Sequence, residues 1–246
     1  MMNPPVKNRL IVALDFETAH EARELFIKLK DVAGMFKIGS QLFTAAGPSL
    51  VREIVKAGAS IFLDLKFHDI PNTVAAAGVE ATRLGVSIFD VHASGGFEMM
   101  RRTAEAVAET AEREGITRPA VIGVTVLTSA DTATLTEIGI ASAVETQVSR
   151  LARLAEASGL DGVVASAHEV ALVRESVGSR VFLIVTPGVR PSGSALGDQK
   201  RAMTPAEAVR AGADYLVVGR PILNAPDPVR AARQISEEME EVDSSQ

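Results

Sequence analysis

The chain has 246 residues, with 25 Lys and Arg against 31 Asp and Glu, and it contains no cysteine and no tryptophan. Its length and a hydrophobic share of 47% allow a sizeable core, while the missing cysteines exclude disulfides, thiolate metal sites and cysteine nucleophiles. A formal charge of -6 argues against nucleic acid as a partner, because neutralising phosphates needs a basic surface, and no run reaches the roughly 18 apolar residues of a membrane span.

Residues 1–9 are polar, carry Pro4 and Pro5, and read as an N-terminal extension. The apolar run that follows is too short for a secretory signal core, so a cytoplasmic protein is expected. Eight short runs rich in Val, Ile, Leu and Phe then recur, at 10–15, 35–39, 60–66, 87–92, 120–127, 162–166, 181–186 and 215–219. Nearly continuous apolar runs of this length suit strands buried on both faces of a parallel sheet. Helical patterns lie between them. Thr18 and Glu21 have capping-box spacing before a helix at 22–29. An extra helix near 133–138 falls in the longest gap. Thr204, Pro205 and Glu207 open another helix, stopped by Gly212, and Asp227-Pro228 opens the last. Residues 236–246 are acidic, with little apolar pattern beyond Met239 and Val242, and read as a frayed tail.

Eight βα units over 10–235, with no Gly/Ser-rich linker, predict an α/β fold: a single-domain TIM (β/α)8 barrel. A doubly wound open sheet is the alternative. It normally needs a glycine-rich loop after its first strand, and Asp15-Phe-Glu-Thr18 is not one.

Chemistry in such a barrel sits at the carboxyl ends of the strands, and several of these ends are charged. The first strand ends in Asp15 and the second carries Lys37. The third ends in Asp64-Leu-Lys66-Phe-His68-Asp69, and the fourth in Asp90-Val-His92. Asp64 and Lys66 are two apart, so on a regular strand they share a face. Burying either charge alone is costly, so they pair with each other or with Lys37. A structural ion pair is the bland reading; a cluster drawn from adjacent strands favours an active site. Gly219-Arg220-Pro221 after the eighth strand suggests a phosphate cradle of backbone N–H groups and a guanidinium, with Gly188, Gly193 and Gln199 nearby. The alternative there is an exposed turn with a solvated arginine. His92 suits the pocket wall, with a metal-ligand role beside Asp64 or Asp90 as the sharper option. His20 and His168 read as surface residues, and Met99-Met100 as packing.

The string Asp64-Leu-Lys-Phe-His-Asp-Ile-Pro-Asn-Thr73-Val closely resembles the signature of the orotidine 5′-phosphate decarboxylase family. Agreement extends to Leu14-Asp15, Phe36-Lys37-Ile-Gly, Val91-His-Ala-Ser-Gly and Val124-Thr-Val-Leu-Thr128-Ser. It continues through Thr186-Pro-Gly-Val-Arg190, Asp198-Gln-Lys-Arg201 and Val218-Gly-Arg220. The resemblance implies decarboxylation of orotidine 5′-monophosphate to uridine 5′-monophosphate, the last step of pyrimidine nucleotide synthesis, with no cofactor and no metal. It implies a homodimer with shared active sites. Its charged array holds Lys37, Asp64 and the proton donor Lys66, with Asp69 reaching into the partner subunit's pocket. Lys37 and Asp15 would hold ribose hydroxyls, Thr128 the pyrimidine edge, and Gln199, Gly219 and Arg220 the phosphate. Ile70, Thr73, Pro187 and Arg190 complete the implied substrate-binding set. A metal-dependent sugar-phosphate decarboxylase or aldolase shares the Asp-x-Lys-x-x-Asp core, and a non-catalytic barrel for a phosphorylated ligand is a third option. The surroundings at His68 and Ile70 to Thr73 favour the nucleotide enzyme, and an intact Lys66 argues for catalysis.

Overall fold

In a computed structural model, residues 9–179, 181–191 and 203–243 are described. Eight parallel strands close into a barrel in sequence order: β1 (Leu10–Ala13), β2 (Met35–Gly39), β3 (Ser60–Phe67), β4 (Ile88–His92), β5 (Ala120–Val124), β6 (Gly162–Val164), β7 (Leu183–Pro187) and β8 (Tyr215–Val218). β1 pairs with both β2 and β8, so no edge is left open. The open-sheet alternative is thereby excluded.

Alternation along each strand sorts two apolar layers. Ile11, Ala13, Met35, Phe62, Ile88, Ile122, Val185 and Val217 fill the barrel interior. Their neighbours Leu10, Val12, Phe36, Ile61, Leu63, Phe89 and Ile184 face the helices instead. Those helices are α1 (Ala19–Leu29), α2 (Ser40–Lys56), α3 (Pro71–Arg83), α4 (Phe97–Glu114), α5 (Thr132–Glu137), α6 (Val144–Ala157), α7 (Val170–Ser176), α8 (Pro205–Arg210), α9 (Arg220–Leu223) and α10 (Pro228–Asp243). Their starts follow the local chemistry. The Thr18 hydroxyl accepts from the Glu21 N–H at 3.3 Å, Asp131 caps the extra helix through the Thr134 N–H at 2.9 Å, and Thr204 with Glu207 forms a full capping box. Met99 and Met100 are buried, as their packing role requires.

Differences from the sequence reading sit at the boundaries. β5 stops at Val124 rather than 127, and β6 at Val164 rather than 166, as each chain turns towards its helix. Arg9 belongs to the barrel, not to an extension: its guanidinium donates to the carbonyls of Ala213 at 2.8 Å and Asp214 at 3.0 Å. Residues 1–8 lie outside the described part. At the other end, the expected fraying from 236 does not occur. α10 runs on to Asp243, because Ile235, Met239 and Val242 recur at helical spacing and are buried against the barrel.

That last point is testable. Met239→Ala is expected to lose about 2–5 kcal/mol of stability, read as a lower denaturant midpoint. An unchanged midpoint would mean that the terminal turns of α10 contribute nothing to the fold.

Candidate active site

The interior column of β1 to β4 changes from apolar to charged as it reaches the carboxyl end. β2 rises through Met35 to Lys37 and then Gly39, and β3 through Phe62 to Asp64. Gly39 stands opposite Asp64 in the parallel register. A Cβ built on Gly39 would meet Lys37 Nζ at 3.0 Å, so the bare backbone here is what leaves room for the ammonium group.

Lys37 lies between two carboxylates. Its Nζ is 2.9 Å from Asp15 Oδ1 and 3.2 Å from Asp64 Oδ2. Asp64 in turn pairs through Oδ1 with Lys66. The charges therefore alternate around three adjacent strand ends. The Lys37 and Asp64 side chains are only 11% and 12% exposed, while Lys66 is 35% exposed and reaches into the mouth. Burial disfavours the Lys37 charge, yet the fields of Asp64 and Asp15 outweigh it and hold its pKa above the ordinary lysine value. Burial likewise opposes ionisation of Asp64. Lys37, a hydrogen bond from Asp90 and Lys66 outweigh that burial, and its carboxyl stays below the usual range.

Lys66 meets Asp64 through a kink that strand alternation alone does not describe. Leu63 pairs with Phe89 and Phe67 with Val91, so Asp64, Leu65 and Lys66 bulge against the single residue Asp90. Lys66 takes a positive φ of 50°, unlike any other described non-glycine residue. Its backbone N–H donates to Asp90 Oδ1 at 2.8 Å. Asp90 is fully buried. Its burial, then the charge of Asp64, push its carboxyl well above the carboxylate range. The sequence shows Asp90 only as a carboxylate inside an otherwise apolar strand; the bulge that gives it two partners is invisible there.

The rest of the rim is polar. His92 faces His68 with ring centroids 5.3 Å apart, and burial, then His68 and Lys66, lower its pKa. Pro187 pairs with Val217 on the neighbouring strand, which brings the end of β7 beside Gly219 and Arg220. A Cβ on Gly219 would lie 3.4 Å from Asp15 Oδ2, so the two ends of the array close on each other. Arg220 is exposed at the start of α9. Arg190 is buried, its backbone N–H donating to the Met203 carbonyl at 3.0 Å. Thr128 is exposed just after β5. Gly193, Asp198 and Gln199 lie outside the described residues.

The orotidine 5′-phosphate decarboxylase / HUMPS family matches residues 8–235. An orotidine 5′-phosphate decarboxylase of Geobacter sulfurreducens is 56% identical over 97% of this chain and 99% of its own. The enzyme of the same name from Geobacter metallireducens is 55% identical over 96% and 97%. A crystal structure of orotidine 5′-phosphate decarboxylase from Lactobacillus acidophilus superposes with a TM-score of 0.83 at 36% identity, over 97% of this chain and 99% of that one.

The chain belongs to this family. It is an enzyme, a carboxy-lyase of pyrimidine biosynthesis. In family terms, the signature string divides in two. Asp64 and Lys66 join the charged row at the strand ends, whereas Asp69 and Ile70, just before α3, and Thr73, in its first turn, stand exposed. Among the described residues no ion pair joins Asp69 to Lys66, and Asp69 Oδ1 instead accepts the Ile70 N–H at 2.6 Å. No described helix is long and apolar enough to cross a membrane. A crevice of about 250 Å³ lined by Asp31, Arg233 and Glu240 lies at the amino ends of the strands, away from this array.

Because Asp64 titrates below its unfolded value, its stabilisation is present above the ordinary carboxylate range and is lost as pH falls through the folded value. Asp64→Asn leaves two lysines short of their counter-charge. It is expected to cost about 3–5 kcal/mol near neutral pH, with the deficit shrinking below about pH 4. Chemical denaturation across pH checks this, and a deficit independent of pH would remove the ionic explanation.

Proposed function

We propose that this chain converts orotidine 5′-monophosphate to uridine 5′-monophosphate and carbon dioxide, as a cytoplasmic homodimer without a cofactor. The observation that carries the reading is the alternating row Asp15, Lys37, Asp64, Lys66 at the carboxyl end of the barrel, in a chain whose relatives carry that enzyme's name.

Loss of carbon dioxide from the pyrimidine leaves an electron pair on C6. The Lys66 ammonium stabilises that developing charge and then gives C6 its proton. Asp64 orients Lys66 through their ion pair. Lys37, already pinned between two carboxylates, acts with Asp15 on the ribose hydroxyls. Thr128 addresses the pyrimidine edge. Gly219 and the Arg220 guanidinium take the phosphate beside Pro187 and Arg190, with Gln199 as a further donor. Phosphate binding far from C6 serves the transition state by holding the ring against Lys66.

Asp69 acts in the partner subunit's pocket, with Ile70 and Thr73 on the same turn. Ile70 is 66% exposed in the single chain. A carboxylate brought within about 4 Å of the substrate carboxylate repels it by roughly 4 kcal/mol at an effective dielectric of 20, and loss of carbon dioxide relieves that repulsion. The Asp64, Lys66 and Asp69 spacing, shared with metal-dependent sugar-phosphate decarboxylases and aldolases, makes such an enzyme the second reading.

The deciding experiment follows orotidine 5′-monophosphate absorbance with purified protein and added chelator. Steady loss is expected with and without chelator. No turnover of this nucleotide overturns the substrate, and turnover stopped by chelator overturns the cofactor-free mechanism.

The shared pocket has its own test. Lys66→Ala and Asp69→Ala are each expected to be nearly inactive. In a hybrid dimer, one pocket combines the intact Lys66 of one chain with the intact Asp69 of the other. Random exchange makes about half the dimers hybrids, so activity should return towards about a quarter of wild type. Confirmed exchange with no recovery would place Asp69 within its own subunit.

A further inference from the structure

Asp90 is a fully buried carboxyl that the chemistry above leaves without a task. It stands alone on β4 against three residues of the β3 bulge. The regular ladder is broken there, and Asp90 Oδ1 supplies the acceptor for the Lys66 N–H at 2.8 Å. This holds Lys66 in a backbone conformation that a residue with a side chain rarely adopts. The second oxygen, Oδ2, is buried with no hydrogen-bond partner among the described residues, and Asp64 is its acidic neighbour across the bulge. Two neighbouring buried carboxylates repel when both are ionised, whereas one proton between them would turn repulsion into a bond.

We propose that Asp90 is a positioning residue for Lys66: in its protonated form it donates through Oδ2 to Asp64 and accepts the Lys66 N–H through Oδ1, fixing both members of the reacting pair. This rests on the assignment of Lys66 as proton donor. The proton belongs on Asp90 rather than Asp64. Asp64 has two ammonium groups within ion-pair reach, Lys37 and Lys66, while among the described residues no ion pair reaches Asp90, whose donor is the Lys66 backbone N–H. The titratable groups facing Asp90 come from β3, as Asp64 and Lys66. From β5 its register partner is the apolar Ile122, and His92 follows two residues on along β4.

An asparagine has the shape of the neutral acid, with NH2 in place of OH: its carbonyl can accept from Lys66 and one amide N–H can donate to Asp64. Asp90→Asn is therefore expected to keep kcat within about threefold of wild type. Asp90→Ala frees the bulge and should lower kcat about 100-fold with KM changed less than about threefold, as expected when a reacting group is misplaced by about 1 Å. Infrared spectroscopy reads the proton without turnover. Wild type at neutral pH should show the carbonyl stretch of a protonated carboxylic acid, and Asp90→Asn should lack it. Should Asp90→Ala fail to fold, the asparagine variant and this band still decide. The proposal is overturned by the absence of such a band. It is equally overturned by a folded Asp90→Asn that loses about 100-fold in kcat, or by Asp90→Ala with wild-type kcat. A wild type that shows the band yet leaves orotidine 5′-monophosphate untouched supports the proton on Asp90 and refutes the substrate assignment.

Discussion

One carboxylate, Asp64, answers two ammonium groups in a largely buried site, and the geometry of three strand ends follows from that requirement. Lys37 and Lys66 come from different strands, and each is costly to bury without a counter-charge. Coulomb attraction at these distances outweighs the desolvation of Asp64, which is why it stays ionised although hidden from water. Asp15 closes the row on the far side of Lys37. The charges of this row are thus matched one to the next, and Lys37, Asp64 and Lys66 hold one another in place.

The two ends of the barrel use charge differently. At the amino ends, polar side chains tie loops to strands. Arg174 pairs with Asp214, whose Oδ2 also accepts the Ile184 N–H at 2.6 Å, and Asp161 Oδ2 accepts the Val121 N–H at 2.7 Å. Each of these carboxylates takes a backbone N–H at the start of a neighbouring strand, so they close the barrel. At the carboxyl ends, the charges bind one another and leave the Lys66 head group partly open. Between the two lies the inner apolar layer of Ile11, Met35, Phe62 and Val217, which keeps water from linking them. This division matches the separation of stability from chemistry found along barrels of this architecture.

The strand ends are also where local backbone rules yield to the site. Asp64 to Lys66 give up a regular ladder with β4, and Lys66 adopts a left-handed conformation without being glycine. Such a departure persists only where surrounding contacts over-determine it. Here the Asp90 acceptor and the Asp64 ion pair hold the backbone and the side chain of the same residue. Gly39 serves the same site by omission, since a methyl group there would crowd the Lys37 ammonium.

The order of eight strands, the caps at Thr18 and Thr204, and the charged strand ends at Asp15, Lys37, Asp64 and Lys66 were legible in the residues alone. They depend on periodicity, capping chemistry and the cost of burying charge, all of which act over a few residues. The acidic tail misled for the converse reason. Three apolar residues among many glutamates form a stripe only once the barrel wall offers something to cover. Asp90 likewise read only as a strand-end carboxylate, at most a second ligand beside His92, because its Lys66 partner lies 24 residues away in sequence and meets it only through a break in register. Sequence by itself determined which residues carry charge and which strand each one ends. Tertiary structure alone decided which of those charges touch, because contact between strand ends is set by barrel closure and by one bulge, neither of which leaves a local signal.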